Sequence, residues 1–308
     1  MPDSDAHLYH VDGELVPAEE ATVNVRDRGF LYGDAAFETI RAYGGTPFEW
    51  RAHADRLRET CEALALDHGL SDADLRERVA ETLDANDLED AYVRLSITRG
   101  VQPGKLTPAP EVDPTVVVIV DDLPRGGRAG APVWDGPASL RTAKTRRVPD
   151  QSMPARAKTH NYLNGILARI ELRDADADEA LLLDADGRVT EGATSNVFFV
   201  ADDALRTPSL DGPVLPGVTR SVVLDLARAE GIPVEEGSYA PADLRRADEV
   251  FLTNTTWEIR PVAAVDGVEV GRTGGDGDLA DAPDDAPAGG PVTRLLARLF
   301  DERVEALY

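Results

Sequence analysis

Two short stretches limit what this chain can be. Residues 157–164 read AKTHNYLN, and residues 189–198 read VTEGATSNVF. The first contains Lys158, one of three lysines in a chain that has 57 Asp and Glu residues. A lysine amine can form a Schiff base with a cofactor aldehyde, and the freed amine can move a proton at a substrate carbon. The alternative is a solvated lysine at a helix start, but the scarcity of lysine and the polar-aromatic residues after Lys158 favour a chemical role.

The second stretch contains a carboxylate, Glu191, that suits the same chemistry. A carboxylate held against a pyridine nitrogen keeps that nitrogen protonated, and the ring then accepts electrons from the substrate. The alternative is a glutamate exposed near the turn at residues 186–187. The length of the whole motif, rather than the glutamate alone, favours the cofactor role.

Together, the two stretches resemble those of the class IV, or fold type IV, pyridoxal-phosphate enzymes. This group includes branched-chain aminotransferases, D-amino-acid aminotransferases and 4-amino-4-deoxychorismate lyases. The resemblance extends from about residue 12 to residue 265. It implies that pyridoxal 5'-phosphate is the cofactor, with its aldehyde carbon on Lys158 and its pyridine nitrogen at Glu191.

The resemblance also implies a fold class, α/β of the α+β type, with two domains and the cofactor in the cleft between them. The predicted division is a small α/β domain at residues 1–120, an interdomain loop at 121–130 and a large cofactor-binding domain at 131–308. Within the large domain, residues 271–290 are rich in Gly, Asp, Ala and Pro, which predicts an acidic mobile loop. A homodimer is implied as well, in which the Tyr32 region of one subunit completes the site of the other.

A glycine-containing segment is a candidate for binding the cofactor phosphate. Residues 215–220 read LPGVTR and directly precede a predicted helix. Glycine lets the backbone approach a ligand, and the free N–H groups at a helix N-terminus attract an anion. The segment resembles the phosphate-binding turn of the family, which assigns Val218 and Thr219 to the cofactor. The alternative is an ordinary Pro-Gly turn with Thr219 as the helix cap.

Two further segments are candidates for the phosphate and for the substrate carboxylate. Thr255 and Thr256 follow an apolar strand, where hydroxyl and N–H groups can hold anionic oxygens. Arg56 lies in residues 53–57, HADRL, and matches a family arginine that reaches the phosphate. The alternatives are an Asn/Thr turn for the first segment and a surface arginine for the second.

The substrate half of the sequence favours the lyase branch. Asn161 follows the lysine by three residues, as in lyases and D-amino-acid aminotransferases, without the glycine pair of branched-chain enzymes. Residues 37–41 read FETIR, and Thr39 stands where the branched-chain enzymes have glycine. Residues 98–105, TRGVQPGK, lack the Arg-x-His carboxylate trap of D-amino-acid aminotransferases. The arginine pair at 146–147 also resembles the lyase group.

The first prediction is therefore a 4-amino-4-deoxychorismate lyase that releases pyruvate and 4-aminobenzoate for a folate-type pathway. Lys158 would remove the ring proton, and Thr39, whose hydroxyl would lie near the cofactor, is the second candidate catalytic residue. Because the substrate has two carboxylates, Arg99 and Lys105 are candidate clamps. The alternative for both basic residues is a solvated surface position.

The second prediction is a transaminase that acts on branched-chain or D-amino acids with 2-oxoglutarate. Arg94 would then hold the substrate carboxylate, although a strand arginine is more often structural. A third alternative is a non-catalytic or cofactor-storage protein on the same fold, against which the intact Lys158 and Glu191 argue. Similarity of fold does not decide the substrate.

Composition excludes several classes of partner. The net charge of −25 argues against nucleic acids and anionic membranes. It indicates adaptation to a salty cytoplasm, with an acidic functional tail as the alternative. The sequence has no run of about 18 apolar residues and no secretory signal, so we expect a cytoplasmic, halophilic enzyme that binds a small amino substrate. The single cysteine, Cys61, excludes an internal disulfide and is predicted to pack inside. No metal site is predicted.

Hydrophobic periodicity and turn residues predict the elements of both domains. A hairpin is predicted around Asp12 and Gly13. Residues 179–184 and 197–200 are predicted as strands on either side of the turn at 186–187. Other predicted strands are residues 36–43, 91–98, 115–120 and 249–253. Predicted helices are residues 53–66, 71–83, 161–172, 219–231 and 293–307.

Overall fold

The computed structural model describes residues 7–125, 133–175, 177–271 and 289–308. Residues 272–288, most of the predicted acidic loop, lie outside the described part of the chain. The same holds for residues 126–130, the second half of the predicted interdomain loop. Residues 121 and 122 of that loop belong instead to a strand, because they continue its pairing with the neighbouring strand.

The chain divides into two compact units. The first contains residues 1–126, 156–162 and 304–308, and the second contains residues 127–155 and 163–303. Residues 156–162, which include Lys158, therefore belong with the first unit, whereas the predicted division assigns them to the large domain. The predicted domain boundaries themselves stay a prediction.

The first unit is built on an antiparallel sheet. Its strands are β1 (Leu8–Val11), β2 (Glu14–Pro17), β3 (Ala35–Tyr43), β4 (Thr46–Pro47), β5 (Ala91–Thr98) and β6 (Val116–Asp122). Its helices are α1 (Arg28–Tyr32), α2 (Trp50–Ala63) and α3 (Asp72–Ala85). The strands are arranged in the order β2-β1-β6-β5-β3-β4. The predicted hairpin between β1 and β2 is confirmed, and both residues of its turn, Asp12 and Gly13, have positive φ angles.

One face of this sheet is covered by α2 and α3. Leu57 and Cys61 of α2 join Val79 of α3 in one buried cluster with Ile40 and Leu95 of the sheet. The prediction that Cys61 packs inside is confirmed, since the residue is 4% exposed. Burial raises the pKa of its thiol to about 12, so the thiol stays protonated and unreactive at neutral pH.

The second unit contains the larger sheet. Its strands are β7 (Ala138–Arg146), β8 (Glu179–Leu183), β9 (Val189–Gly192), β10 (Asn196–Ala201), β11 (Ala204–Pro208), β12 (Val234–Gly237), β13 (Glu249–Asn254), β14 (Glu258–Val265) and β15 (Val268–Glu269). Its helices are α4 (Leu163–Ile170), which continues as a 3₁₀ turn over Glu171–Asp174, α5 (Val218–Ala229) and α6 (Pro241–Arg245). The last helix, α7 (Pro291–Glu305), begins here, and its final two residues group with the first unit. The strand order is β12-β11-β10-β13-β14-β7-β8-β9, with β15 beside β14.

The turn at residues 186–187 joins different strands from those predicted. It connects β8 to β9, whereas β10 pairs with β11 and β13. The VTEGATSNVF stretch is therefore two strands, β9 and β10, with a tight turn at residues 193–195. In that turn the Gly192 N–H donates to the carbonyl oxygen of Ser195 at 2.6 Å. A Cβ atom on Gly192 would lie 2.3 Å from the Ser195 hydroxyl, so only glycine fits.

The predicted fold class, α/β of the α+β type, is confirmed, since the structure is a mixed α+β protein with two sheets. Within the described residues, no helix is long and apolar enough to cross a bilayer.

Candidate active site

Lys158 is attached to the edge of β3. Thr159 bridges Ala36, the Phe37 N–H donates to the Lys158 carbonyl at 3.0 Å, and the His160 N–H donates to the Ala35 carbonyl at 3.1 Å. Because side chains alternate along extended backbone, Lys158, His160 and Phe37 point to the same side of the sheet. Alternation also gives Glu38 the opposite side, where α2 packs.

On β5, Arg94 and Ser96 share the side that carries Lys158. Arg94 pairs in register with Thr39, and Ser96 pairs with Phe37. We call this side the lysine face and define it by six residues: Phe37, Thr39, Arg94, Ser96, Lys158 and His160.

The amine of Lys158 lies among aromatic rings and one hydroxyl. Its Nζ donates to the Tyr162 hydroxyl oxygen at 3.1 Å and lies 4.6 Å from the centre of the Phe37 ring. The Lys158 backbone N–H donates to the Thr60 hydroxyl at 3.0 Å, which fixes the chain at this point. No carboxylate of the described residues lies within ion-pair distance of Nζ. The amine is thus held in position without forming an ion pair with a carboxylate of these residues. It stays available for covalent attachment.

Arg94 brings an uncompensated positive charge to the same face. Its guanidinium carbon lies 3.9 Å from the centre of the Phe37 ring. Of the described residues, none forms a hydrogen bond or ion pair with this guanidinium group. A half-buried guanidinium with open donors is a ready receptor for a carboxylate. Thr39 lies directly opposite Arg94 across the β3–β5 pair.

Arg99 has a different environment from Arg94. It is 4% exposed and donates to both carboxylate oxygens of Asp34, at 2.9 and 3.1 Å. It also donates to the carbonyls of Leu64 and Ala65, at 2.6 and 2.8 Å, just after α2 ends. These partners occupy its donors, so the geometry favours a structural role over the predicted carboxylate clamp.

Lys105 and Tyr32 are not part of the lysine face. Lys105 lies in an exposed loop, whose carbonyl oxygens at Lys105 and Leu106 accept hydrogen bonds from Arg28. Tyr32 is exposed at the end of α1, with the Arg28 guanidinium 5.0 Å from its ring centre. The predicted roles of Lys105 as a clamp and Tyr32 as a residue that serves a second subunit stay predictions.

Arg56 lies behind the lysine face, in a buried ionic cluster with Glu38 and His53. Its Nε and Nη2 donate to the two Glu38 oxygens at 2.8 and 2.5 Å, and His53 Nδ1 is 2.7 Å from Glu38 Oε2. Burial alone would raise the pKa of Glu38, but the charge and hydrogen bonds of Arg56 lower it to about 2. Arg56 is therefore committed to Glu38 through two of its nitrogens, and its predicted contact with the phosphate stays a prediction.

We expect this cluster to make the protein sensitive to acid. Because the pKa of Glu38 falls from 4.5 to about 2 on folding, the cluster stabilises the protein above about pH 4.5, and this contribution disappears as the pH falls toward 2. Glu38→Gln removes the carboxylate charge that offsets the buried Arg56 guanidinium and should lower the free energy of unfolding at pH 7 by about 3–5 kcal/mol, measured by denaturant titration.

The matched control is Glu62→Gln, which breaks an exposed ion pair with Arg58; the side chains of Glu62 and Arg58 are 65% and 51% exposed respectively. Its cost should be about 0–1 kcal/mol. Equal losses in the two variants would contradict the importance of the buried cluster.

In the second unit, Glu191 is held by two donors. Its Oε1 accepts from Arg147 Nε at 2.7 Å, and its Oε2 accepts from the Leu215 N–H at 2.9 Å. Arg147 follows β7, and Glu191 lies on β9. Both oxygens are thereby fixed in orientation, which a carboxylate needs if it is to meet one particular ring nitrogen. The sequence indicated Arg147 only as part of an arginine pair and gave no partner for it.

The N-terminus of α5 is open to an anion. Its N-cap is Gly217, with no side-chain cap, and the N–H groups of Val218 and Thr219 find no acceptor among residues 7–125, 133–175, 177–271 and 289–308. Asn196 donates to the Leu215 carbonyl at 3.0 Å and packs against Gly217, where a Cβ would lie 2.0 Å from its Oδ1. The alternative that Thr219 caps this helix is wrong, because Thr219 lies inside the first turn. The groups present fit a phosphate.

Thr255 and Thr256 lie in the turn between β13 and β14. Asn254 shapes this turn by accepting a hydrogen bond from the Trp257 N–H at 2.6 Å. The hydroxyl of Thr253 is buried and has no hydrogen-bond partner in the described residues. The predicted cofactor contacts of Thr255 and Thr256 stay a prediction.

Comparison with known proteins agrees with this chemistry. The family model for amino-transferase class IV matches residues 35–265. A putative branched-chain-amino-acid aminotransferase of Methanocaldococcus jannaschii is 41% identical over 84% of this chain and 88% of the relative. A D-alanine aminotransferase of Listeria monocytogenes is 35% identical over 96% of this chain and 95% of the relative.

Two solved structures are similar over nearly the whole chain. The branched-chain aminotransferase from Thermoproteus uzoniensis, solved with norvaline, has a TM-score of 0.85 and 30% identity, and covers 98% of this chain and 96% of that one. The 4-amino-4-deoxychorismate lyase from Pseudomonas aeruginosa has a TM-score of 0.78 and 32% identity, and covers 96% of this chain and 98% of that one.

This chain belongs to the class IV aminotransferase family. The family depends on pyridoxal phosphate, so the predicted cofactor is confirmed. Each unit, taken by itself, has groups of a kind that suit this cofactor: the first has a lysine amine that can take an aldehyde, and the second has a fixed carboxylate and an open helix N-terminus.

Proposed function

We propose that this protein is an amino-acid transaminase that exchanges an amino group between an amino acid and a 2-oxo acid. The observation that carries the proposal is the open guanidinium of Arg94 on the lysine face. The arginine that the transaminase hypothesis requires thus contacts the same aromatic ring, Phe37, as the amine of Lys158. The clamps that the lyase hypothesis requires, Arg99 and Lys105, are respectively bound to Asp34 and exposed in a loop.

In the proposed reaction Lys158 has two tasks, and Arg94 and Glu191 have one each. Pyridoxal phosphate, when bound, withdraws electrons from the bonds at the substrate α-carbon. Lys158 would hold the aldehyde carbon before the substrate arrives and then move the proton at the α-carbon, with its amine oriented by Tyr162. Arg94 would bind the substrate carboxylate. Glu191 would hold the pyridine nitrogen.

The phosphate has its own proposed contacts. We assign it first to the N–H groups of Val218 and Thr219, whose helix N-terminus favours negative charge. Thr255, Thr256 and Arg56 are further proposed contacts, each on the strength of the sequence resemblance.

A 4-amino-4-deoxychorismate lyase is the second candidate. It is supported by the similarity to the Pseudomonas aeruginosa enzyme and by Thr39, which lies opposite Arg94 on the lysine face. The similarity of this chain to a putative branched-chain aminotransferase and to a D-alanine aminotransferase favours the transaminase instead.

The two candidates predict different requirements for an amino acceptor. Protein with pyridoxal phosphate in high salt would be incubated with L-leucine, L-valine or D-alanine together with 2-oxoglutarate, and glutamate would be measured. A parallel reaction would contain 4-amino-4-deoxychorismate without any 2-oxo acid, and 4-aminobenzoate would be measured. Glutamate formation alone supports the transaminase, and 4-aminobenzoate formation alone replaces it with the lyase.

Arg94→Gln should raise the KM for the amino acid about 10- to 100-fold, because a charged hydrogen-bonding partner of the carboxylate is lost. The control, Lys105→Gln, removes an exposed cation that the transaminase hypothesis does not use, and should leave the KM unchanged. The opposite pattern would contradict the assignment of the carboxylate to Arg94.

We also propose that the protein is a homodimer. Each unit has an exposed apolar surface: Val25 and Phe30 around α1 in the first, and one side of α4, including Leu163 and Ile166, in the second. Apolar surfaces of this kind are typical of interfaces. A second copy is the proposed partner, and sedimentation equilibrium should give twice the mass of the chain.

A further inference from the structure

One titratable residue of the lysine face has no part in the reaction described above. His160 lies between Lys158 and Tyr162 in the sequence and is half-buried. Its Nε2 is 3.2 Å from the Ser96 hydroxyl, and its ring meets that of Phe37 edge to face, with the centres 5.5 Å apart. The other ring nitrogen, Nδ1, has no hydrogen-bond partner in the part of the chain that the structure describes.

The surroundings of His160 favour a neutral imidazole. Burial and the positive charge of Arg94 lower the pKa of His160 to about 4, against a weaker opposing effect of Asp27. Lys158 and Tyr162 are the other titratable groups on its own segment. A neutral imidazole has one nitrogen that donates and one that accepts. With Ser96 at one nitrogen, the other is left to a ligand.

His160 and Arg94 each have hydrogen-bonding groups that no described residue occupies. Both contact the ring of Phe37, and Arg94 has an open charge while His160 has an open ring nitrogen. A carboxylate has two oxygens and can accept hydrogen bonds from two groups at once. It can therefore satisfy the guanidinium and the imidazole together.

We propose that His160 is a substrate-binding residue and that His160 and Arg94 form a two-residue receptor for a substrate carboxylate. This inference rests on the proposed function, because it extends the assignment of the carboxylate to Arg94. The receptor selects an anionic group through the guanidinium and fixes its orientation through the imidazole.

The receptor makes carboxylate binding dependent on pH. A bound carboxylate offsets the charge of Arg94 and accepts a hydrogen bond from the imidazole, so it favours the protonated form of His160. Binding is therefore linked to proton uptake, and the affinity rises as the pH falls through the raised pKa of the bound state toward about 4, the pKa of His160 in the free protein. Within the described residues, the charged or titratable groups around the ring are Arg94 and Asp27, together with Lys158 and Tyr162 of its own segment; the bound carboxylate adds one more.

The test uses the protein loaded with pyridoxal phosphate and glutarate, a dicarboxylate that has no amino or oxo group to exchange. Glutarate affinity would be measured by calorimetry at several pH values for the wild type, His160→Leu, His160→Gln and Arg94→Gln. His160→Leu should bind about tenfold more weakly and lose most of the pH dependence, because one hydrogen bond to a charged group is removed. His160→Gln keeps a donor and should recover most of the affinity at pH 8.

Unchanged glutarate affinity and pH dependence in His160→Leu would overturn the inference. If only Arg94→Gln loses glutarate affinity, the inference about His160 fails, but the proposed carboxylate site at Arg94 remains. If Arg94→Gln binds glutarate like the wild type, the carboxylate assignment of the proposed function fails too. A direct measurement does not depend on the folding of the leucine variant: the histidine NMR signal missing from His160→Gln should titrate at higher pH when glutarate is added to the wild type. A glutarate-independent titration of that signal contradicts the inference.

Discussion

Replacing Lys158 by alanine should abolish turnover and the covalent attachment of pyridoxal phosphate. Lys158 is the lysine on the face that carries Arg94, and its amine has one hydrogen-bond partner among the described residues, the Tyr162 hydroxyl. Without the amine, the aldehyde has no attachment point and the proton at the substrate α-carbon has no base. We expect kcat to fall by about 10⁴-fold or more, because loss of a positioned general base alone costs up to that factor.

The attachment can be measured independently of turnover. Reduction of the loaded protein with borohydride, followed by peptide mass analysis, should find the pyridoxyl group on Lys158. The chain makes this test sharp, since Lys105 and Lys144 are its other two lysines. The control is Lys144→Ala, an exposed residue on β7, which should keep wild-type activity and labelling. A pyridoxyl group on Lys105 or Lys144 would refute the assignment.

Much of the fold follows from local patterns in the sequence. Strand β3 is an unbroken run between the turn glycines at 33 and 44, and α3 begins with a complete capping box between Ser71 and Asp74. Strands β7 and β14 were missed. The first has three basic side chains among nine residues, and the second contains Pro261, which is unfavourable inside a sheet. Tertiary pairing with neighbouring strands determines both.

The sequence predicted the chemistry of the candidate site, but it did not predict which side chains lie next to one another in it. The motifs around Lys158 and Glu191 indicate the cofactor through their resemblance to the class IV enzymes. The choice between Arg94 and Arg99 depends on Asp34, which is 65 residues before Arg99 and neutralises it. Period-two alternation would have given Arg94 and Ser96 a common side, but the attachment of residues 158–160 to the edge of β3 is a long-range pairing. For that reason the sequence did not indicate His160 as a neighbour of Arg94.

Glu191→Gln is expected to have the second largest effect. The structure holds the Glu191 carboxylate between Arg147 and the backbone N–H of Leu215, so the substitution keeps the shape but removes the charge. A neutral amide cannot keep a pyridine nitrogen protonated, and the ring then withdraws electrons less strongly. We expect kcat to fall about 10²- to 10³-fold, as for loss of other electrostatic groups aimed at developing charge. The KM for the amino acid should change little, because Glu191 does not bind the substrate.

The effect on kcat distinguishes two roles for Glu191: keeping the pyridine nitrogen protonated, or only helping to bind the cofactor. Affinity for pyridoxal phosphate would be measured by dialysis and absorbance, and kcat would be measured at saturating cofactor. The matched control is Glu235→Gln, which removes a half-exposed partner of Arg206 in the same unit and should leave both quantities unchanged. If Glu191→Gln binds the cofactor weakly but turns over normally once saturated, then Glu191 holds the ring in position and the protonation argument is wrong. If kcat falls at full saturation, the carboxylate acts on the electrons of the ring, and Arg147 becomes the residue that orients it for this task.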